Sequence, residues 1–281
     1  MINGITITFI GPGVMAEAML SGILKKGLTK PENILISGPL LDRNEELQKK
    51  YGVQPFTNNC EAAAKADVVV LSVKPQRLEK VLREMNGYVS PDALVLSIVA
   101  GASIAKITRN LGHDVIVRAM PNTPAQIGEG ITVWTASHSV SEKQMEFAQT
   151  ILSAFGQEIY EEEEDYLDKA TALSGTGPAY VYLFMEAMVD AGVHMGFSRR
   201  TAERLVIETL RGSVDYYDKE AEDTRHLARL RNQVTSPGGT SAEAIYYLEK
   251  AGFRTAISRA IWAAYQRSRE LGQDAEVHPP D

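Results

Sequence analysis

The sequence has only one cysteine, Cys60, in 281 residues, so no disulfide bond can form within the chain. A single free cysteine fits a reducing compartment such as the cytosol. No apolar run approaches the ~18–20 residues that a membrane-spanning helix needs. The first residues, MINGITITFI, lack the basic segment of a signal peptide. We therefore expect a cytoplasmic protein with no membrane partner.

Clusters of basic residues and of metal ligands are also missing. The net charge is −7, and lysine and arginine are scattered along the chain, which argues against a nucleic-acid partner. The five histidines form no metal-ligand cluster. We predict no metal site and interpret His194, His226 and His278 as structural or surface residues. The apolar fraction of 44% allows a sizeable core, so a globular enzyme acting on a small molecule is expected.

The first ~160 residues alternate β-branched apolar runs with helical stretches. The runs are mostly continuous, which is typical of strands covered on both faces. We predict an α/β domain with a mainly parallel sheet and helices on both sides. The predicted strands are 5–10, 33–37, 67–73, 93–98, 114–119 and 130–135. The predicted helices are 14–26, 43–51, 59–65, 76–86 and 103–110.

The acidic segment YEEEEDYLDK, residues 160–169, marks a change of pattern, because no strand is predicted beyond it. The predicted helices there are 178–195, 199–217, 224–234, 240–250 and 253–271. We place the boundary so that residues 1–162 form the α/β domain and residues 163–281 form an all-α domain. The helical domain carries so much apolar surface that we expect it to pack against a second copy and form a homodimer.

The strand at 5–10 leads into GPGVMA, where Gly11, Gly13 and Ala16 fit the pattern G-x-G-x-x-G/A. Gly11 permits a tight turn, Gly13 lets a pyrophosphate approach the backbone, and Ala16 lets the helix pack close to the strand. The N–H groups at the start of the helix face the phosphates. This position after the first strand predicts dinucleotide binding.

The end of the second predicted strand indicates which dinucleotide binds. An acidic residue there would bind the ribose hydroxyls of NAD, but this chain has Ser37, and the first acid is Asp42. A serine followed by glycine leaves room for a 2′-phosphate, with Arg43 within reach. The pattern favours NADP; alternatively Ser37 only opens a turn and both cofactors bind.

Two further segments follow strands of the predicted sheet, where ligands of parallel sheets bind. Lys74 and Pro75 follow one strand and are expected to face the cofactor, although Lys74 can also be a solvated loop residue. The run Met120-Pro121-Asn122 follows another and can wall the nicotinamide pocket. The alternative there is a purely structural turn.

The segment TSPGGTSAEAI, residues 235–245, has the pattern of a second anion-binding helix start. Thr240 is predicted as the N-cap, with Glu243 completing a capping box. Gly238 and Gly239 leave the backbone bare before it. An ordinary helix start is the alternative.

The segment SGTGPAY, residues 174–180, opens the first long helix with Pro178 in the first turn. We expect Ser174, Gly175 and Thr176 near the domain junction. Helix capping and packing alone is the alternative for these residues.

The segments GPGVMAEAM, SVKP, AMPNTPA, LSGTGPAY and SPGGTS occur in the order and spacing of pyrroline-5-carboxylate reductases. The chain resembles that family over nearly its whole length. The resemblance implies reduction of 1-pyrroline-5-carboxylate to L-proline with NADPH or NADH, the last step of proline biosynthesis. It also implies a Rossmann-type N-terminal domain and an all-α C-terminal domain that forms intertwined dimers. Decamers built from five dimers are common in the family.

The resemblance also assigns residues. It implies that the loop Ser236–Ser241 binds the substrate carboxylate and that Ser241, the candidate catalytic residue, lies near the ring nitrogen. The implied substrate-binding residues are Ser236, Gly238, Gly239, Thr240 and Ser241, to which we add Ser174 and Thr176. The expected cofactor-binding residues are Gly11, Gly13, Val14, Met15, Ser37, Asn59, Ser72, Lys74, Pro75, Ala100, Met120, Pro121 and Asn122.

One segment departs from the family pattern. Where members often have a sequence similar to EHPxxLRDxV, this chain has RHLARLRNQV, with Arg225, Leu227 and Asn232 at the differing places. These residues leave open a non-catalytic, cofactor-binding regulatory paralogue, although the intact SPGGTS argues against it. A β-hydroxyacid-dehydrogenase-like enzyme is the other alternative. That family places a lysine and an asparagine four residues apart, but Lys169 is followed at that distance by Leu173.

Overall fold

The computed structural model describes residues 4–220 and 226–272. Its strands are β1 (Ile7–Ile10), β2 (Ile34–Ser37), β3 (Gln54–Phe56), β4 (Val68–Leu71), β5 (Leu94–Ser97), β6 (Ile116–Met120), β7 (Gly130–Ala136) and β8 (Gly156–Tyr160). They form an eight-stranded sheet in the order β3-β2-β1-β4-β5-β6-β7-β8. Neighbouring strands are parallel except β6 and β7, which are antiparallel. The prediction of a mainly parallel α/β domain is confirmed.

Four strands inside the sheet, β1, β2, β4 and β5, are buried along their whole length. Successive side chains of a strand point to opposite faces, so Ile7 and Phe9 belong to one apolar cluster and Ile10 to the other. Burial of each such side chain contributes ~1.5–3 kcal/mol. Two covered faces explain why these strands are continuous apolar runs rather than alternating ones.

The helices of this half lie between the strands and cover both faces of the sheet. They are α1 (Val14–Lys25), α2 (Leu41–Tyr51), α3 (Asn59–Ala63), α4 (Pro75–Met85), α5 (Ile104–Leu111) and α6 (Glu142–Leu152). Helix α1, for example, buries Met19, Leu20 and Ile23. Strands β1 to β6 are all parallel to their neighbours, so their carboxyl ends lie at the same edge of the sheet, whereas β7 and β8 run in the opposite direction.

Strands β3 and β8 and helix α6 are absent from the sequence-based prediction. The two strands lie at the two edges of the sheet, and their residues are mostly exposed or half-buried. Edge strands this short carry little hydrophobic pattern. Helix α6 begins with a capping box between Ser141 and Gln144, a signal present in the sequence but not used.

After β8 the described residues form helices and the connections between them, and no strand occurs there. The helices are α7 (Asp165–Ala170), α8 (Gly177–His194), α9 (Arg199–Lys219), α10 (Leu227–Gln233), α11 (Thr240–Lys250) and α12 (Phe253–Gly272). A π-helical turn, Thr171–Gly175, connects α7 to α8. The prediction of an all-α C-terminal region is confirmed. The predicted start of a helix at residue 224 lies outside the described residues.

The described residues form two compact units. The first consists of residues 4–178 and 263–272, and the second consists of Ala179–Trp262. The predicted domain boundary between residues 162 and 163 stays a prediction. In the second unit a small cluster of Val189, Ala202 and Val206 is buried. Much of its apolar surface is exposed, including Leu183 and Trp262. None of the described helices is both long enough and apolar enough to span a bilayer.

Candidate active site

The loop between β1 and α1 is shaped by its glycines. Gly11 has a φ of +92°, a conformation that L side chains rarely adopt, and its N–H donates to the carbonyl oxygen of Ser37 at 2.8 Å. The hydroxyl of Ser72 donates to the carbonyl oxygen of Gly11 at 2.9 Å. Helix α1 begins after Gly13 with no side-chain cap hydrogen bond. The N–H groups of its first turn are therefore left for an anion.

A cavity of about 1010 Å³ opens at this edge of the sheet, beside the carboxyl ends of the strands. Among the predicted cofactor-binding residues, its lining includes Gly11, Gly13, Val14, Ser37, Asn59, Ser72 and Lys74. The other six are not among its lining residues: Met15, Pro75, Ala100, Met120, Pro121 and Asn122. The roles of all thirteen stay predictions.

The end of β2 is held by polar side chains that the sequence analysis did not connect. The hydroxyl of Ser37 donates to Oδ1 of Asn59 at 2.7 Å. The amide of the buried Asn44 donates to the carbonyl oxygens of Gly38 and Phe56, at 3.0 and 3.1 Å. Together these bonds fix the loop after β2 where it borders the cavity.

Arg43 lies in the cavity wall and is anchored on three sides. Its Nε donates to the carbonyl oxygen of Pro12 at 3.1 Å, and its guanidinium pairs with Glu17 and with Glu46. Glu17 also accepts hydrogen bonds from Lys50 at 2.7 Å and Tyr51 at 2.9 Å. The cationic side of this wall is therefore rigidly placed.

The carboxyl group of Glu17 is strongly stabilised in its charged form. Burial by itself would raise the pKa of Glu17, but hydrogen bonds from Lys50, Arg43 and Tyr51 outweigh it and lower the pKa to about 2. Only 19% of the side chain is exposed. Glu17 is thus an anion near neutral pH and part of the network that holds Arg43.

The cavity is more basic than the chain as a whole. Four basic and two acidic side chains line it: Arg43, Lys74, Arg77, Lys80, Glu17 and Glu84. Lys74 is exposed at the N-cap of α4, and Pro75 is the first residue of that helix. A basic wall in a chain of net charge −7 favours an anionic ligand.

The turn after β6 is bonded to the π-helical turn. The side chain of Asn122 donates to the carbonyl oxygen of Ser174 at 3.2 Å and accepts from the N–H of Ile131 at 3.0 Å. A Cβ atom on Gly175 would lie 2.8 Å from Cε of Met120. The structure therefore brings the segments around MPN and SGTG together, as two contacting turns within the first unit.

A buried arginine beside this turn was missed by sequence reasoning. The Arg118 side chain is 5% exposed and pairs with Glu164 and Asp168, each at 3.0 Å. Asp168 also accepts from the hydroxyl of Ser268, and Glu164 accepts from the N–H of Ile104. Glu164 and Asp168 lie 46 and 50 residues from Arg118 along the chain, so no local pattern indicates the cluster.

The SPGGTS loop lies in the second unit. Gly238 has a φ of +69°, and α11 begins at Thr240 with Gly239 as its N-cap and no side-chain cap hydrogen bond. The predicted capping box of Thr240 and Glu243 is therefore wrong, because Thr240 is already inside the helix. A glycine N-cap leaves the first N–H groups of α11 without a side-chain partner.

The remaining predicted features are described in part. Asn232 accepts a hydrogen bond from the side chain of Arg231 at 3.1 Å. Arg225 and His278 lie outside the described residues. Within residues 4–220 and 226–272, no three His, Cys, Asp or Glu side chains are grouped so that they could hold a metal ion. Lys169 forms an ion pair with Asp165 at 2.7 Å on its own helix.

Comparison with known proteins gives consistent matches. Residues 164–271 match the family model for pyrroline-5-carboxylate reductase dimerisation, and residues 6–101 match the model for NADP oxidoreductase, coenzyme F420-dependent. A pyrroline-5-carboxylate reductase of Synechocystis is 42% identical, with 96% of this chain and 99% of that protein covered. The enzyme of Escherichia coli is 35% identical, with coverages of 95% and 98%.

A solved structure agrees with these relatives. The crystal structure of Plasmodium falciparum pyrroline carboxylate reductase with NADP bound has a TM-score of 0.88 and 34% identity. The match covers 96% of this chain and 99% of that one.

Proposed function

Because the chain belongs to the pyrroline-5-carboxylate reductase family, we propose that NADPH bound in the cavity at the sheet edge supplies the hydride for its reaction. The chain is an oxidoreductase that reduces 1-pyrroline-5-carboxylate to L-proline, the last step of proline biosynthesis. Relatives matched over nearly the full length of both chains carry this conclusion. The proposals below concern the residues that perform the reaction.

The residues at the cavity fit a dinucleotide. The first turn of α1 presents N–H groups without a side-chain cap, and a Cβ on Gly13 would meet nothing nearer than 4.0 Å. Gly11, Gly13, Val14 and Met15 are proposed to hold the pyrophosphate there. The cleft residues are proposed to be Asn59, Ser72, Lys74, Pro75 and Ala100, with Met120, Pro121 and Asn122 walling the nicotinamide side.

The N-terminal part is an NADP-binding domain, and we propose that it prefers NADPH over NADH. Strand β2 ends in Ser37 rather than in an acid that would bind a ribose diol. Arg43 is held in the cavity wall by Pro12 and Glu17, where a 2′-phosphate can accept from its remaining N–H groups. NADH remains a possible second donor because Glu17 and Glu46 offset the charge of Arg43.

The loop Ser236–Ser241 is proposed to hold the substrate carboxylate. The uncapped N–H groups in the first turn of α11, with the hydroxyls of Ser236 and Thr240, are donors suited to a carboxylate. Ser241 is the proposed catalytic residue, whose hydroxyl donates to the ring nitrogen or to a water molecule beside it. Gly238 and Gly239 keep the backbone accessible, and Ser174 and Thr176 complete the proposed site.

The chemistry requires little acid catalysis from the protein. When bound, NADPH supplies a hydride to the carbon of the substrate's C=N bond. A protonated imine is already electrophilic, so the side chains mainly hold the two reactants in an attack geometry and exclude water. Ser241 then stabilises or relays the proton that ends on the ring nitrogen.

The helical part carries a dimerisation domain, so the chain forms a homo-oligomer. We propose that residues 1–162 form the dinucleotide-binding domain and that the dimer forms through residues 163–281. We also propose that five dimers assemble into a decamer and that the protein is cytoplasmic. Exposed apolar side chains in the second unit support a protein interface there, among them Tyr182, Leu183, Tyr247 and Trp262.

The reaction is tested directly by following the decrease in NADPH absorbance after 1-pyrroline-5-carboxylate is added. Ser241→Ala is expected to lower kcat by roughly tenfold or more while NADPH affinity changes little, because the hydroxyl acts at the substrate nitrogen. Ser213→Ala, on an exposed face of α9, is the matched control and should leave both quantities unchanged. An unaltered kcat in Ser241→Ala would remove its assignment, and inactivity of the wild-type chain would remove the cofactor proposal.

A further inference from the structure

We infer that Asn122 is a positioning residue, which fixes the π-helical turn Thr171–Gly175 against the end of β6 and so places Ser174 and Thr176 for the substrate. The inference rests on the proposed function, which assigns those two residues to the substrate site. It concerns a bond between two segments 52 residues apart in the chain.

Both the nitrogen and the oxygen of the Asn122 side-chain amide form hydrogen bonds to backbone groups. Nδ2 donates to the carbonyl oxygen of Ser174 at 3.2 Å, and Oδ1 accepts from the N–H of Ile131 at 3.0 Å. The residue is 9% exposed. A side chain so bonded acts on the site through the turn that it holds.

The carbonyl oxygen of Ser174 needs this donor for a reason that lies in the sequence. In an α-helix it would accept from the N–H four residues later, but that residue is Pro178, which has no N–H. Ser174 is half-buried, and a carbonyl oxygen shielded from water is destabilised when it has no donor. Asn122 supplies the missing hydrogen bond from a different element.

The turn is also held by hydrogen bonds of its own residues. The N–H and the hydroxyl of Thr176 both donate to the carbonyl oxygen of Thr171, at 2.8 and 2.9 Å. The hydroxyl of Ser174 donates to the carbonyl oxygen of Ala170 at 3.0 Å. Such π-helical turns are frequent at functional sites, because they displace a few residues from the helical path.

A second contact holds the same two turns together. Gly175 packs so closely on Met120 that a Cβ atom would lie 2.8 Å from the Met120 methyl carbon. Asn122 and Met120 therefore contact the π-helical turn at the adjacent residues Ser174 and Gly175. Asn122 is not among the residues that line the cavity, and its amide atoms bond backbone groups, so its part in the proposed nicotinamide wall is through the position of its turn. Its loss should therefore affect substrate turnover more than NADPH binding.

Asn122→Asp is the variant that tests the bond. Aspartate has nearly the same shape and still accepts from Ile131, but it cannot donate to Ser174 when ionised. We expect kcat to fall by roughly tenfold or more, since small misplacements of a site are costly, while the Kd of NADPH stays within about twofold. Asn110→Asp is the matched control, because Asn110 is also 9% exposed and its Nδ2 also donates to a backbone carbonyl. That control should retain kcat.

Rescue separates the hydrogen bond from a general structural effect. Pro178→Ala gives Ser174 back its helical N–H donor, so the double variant Asn122→Asp/Pro178→Ala should recover at least roughly threefold in kcat. If Asn122→Asp does not fold, Gly175→Ala displaces the same turn and should lower kcat several-fold with unchanged NADPH Kd.

Three results would overturn the inference. They are an unchanged kcat in a folded Asn122→Asp protein, a loss of NADPH affinity that parallels the loss of kcat, and a double variant with no recovery. The second would mean that Asn122 acts mainly through the proposed wall on the nicotinamide side. A wild-type chain without activity would instead contradict the proposed function, and the two failures are distinguishable in one experiment.

Discussion

Two helices of this chain begin in the same local way, although they lie more than two hundred residues apart. Helix α1 follows Gly11 and Gly13, and α11 follows Gly238 and Gly239. Both N-cap glycines are extended, with φ near −80°, and neither helix has a side-chain cap. Gly11 and Gly238 both have positive φ, at +92° and +69°.

The surroundings of the two starts differ. A Cβ on Gly11 would lie 2.7 Å from Cγ1 of Val73, whereas one on Gly238 would meet nothing within 4 Å. Helix α1 buries five residues, and α11 buries none. The N-terminus of α1 is therefore fully packed by residues of its own chain. We expect the start of α11 to acquire its surroundings in the oligomer, so that the proposed substrate loop would depend on assembly and the proposed cofactor loop would not.

The largest expected difference between the N-termini of α1 and α11 is in how far a glycine-to-alanine substitution lowers stability and NADPH binding. Gly11→Ala introduces both an unfavourable φ and a clash with Val73, and should cost about 3 kcal/mol of unfolding free energy and abolish NADPH binding. Gly238→Ala introduces only the φ penalty of ~1 kcal/mol and should leave NADPH binding intact. Thermal unfolding and fluorescence titration measure the two effects, and equal losses in both variants would contradict the comparison.

A smaller effect is expected from weakening the oligomer. Leu183 is 67% exposed on α8, and Leu183→Glu should shift the sedimentation coefficient toward the monomer by placing a charge in an apolar interface. We expect kcat to fall by roughly tenfold while the Kd of NADPH changes by less than about twofold. Lys143→Glu, on the exposed side of α6, is the control and should change neither. A fully active monomer would show that the loop before α11 works without a second chain.

The sequence predicted one region better than the other for a physical reason. Strands β1, β2, β4 and β5 are buried on both faces, so each is a continuous apolar run and was found. The G-x-G-x-x-A loop was found because its glycines serve local backbone geometry, which is written in adjacent residues. Strands β3 and β8 were missed because edge strands bury little and have no such pattern.

The contacts that shape the site were not predictable from local pattern. Arg118 meets Asp168, and Asn122 meets Ser174, across about fifty residues of chain. Each partner has an ordinary local environment in the sequence, and only the folded sheet edge brings them together. The N-cap of α11 was misplaced by one residue because Thr240 and Gly239 are both acceptable caps, and tertiary geometry selects between them.

The smallest expected effect concerns the acidic residue in the first turn of each helix. The pKa of Glu17 is lowered from 4.5 to about 2 in the folded chain, because its bonds to Lys50, Arg43 and Tyr51 outweigh the effect of burial. A folded pKa below the unfolded value stabilises the protein above pH 4.5 and loses that contribution as pH falls toward 2. Glu17→Gln should therefore lower the unfolding free energy by about 1 kcal/mol at pH 7, and its difference from wild type should shrink between pH 4.5 and 2.

Glu243 is the matched residue in α11, where it is exposed in the first turn. Glu243→Gln should change the unfolding free energy by less than ~0.5 kcal/mol, as is usual for an exposed substitution. Urea denaturation of both variants and the wild type across this pH range measures the contrast. A pH-independent difference for Glu17→Gln, or an equal loss for Glu243→Gln, would mean that the electrostatic network around α1 does not distinguish the two helix starts.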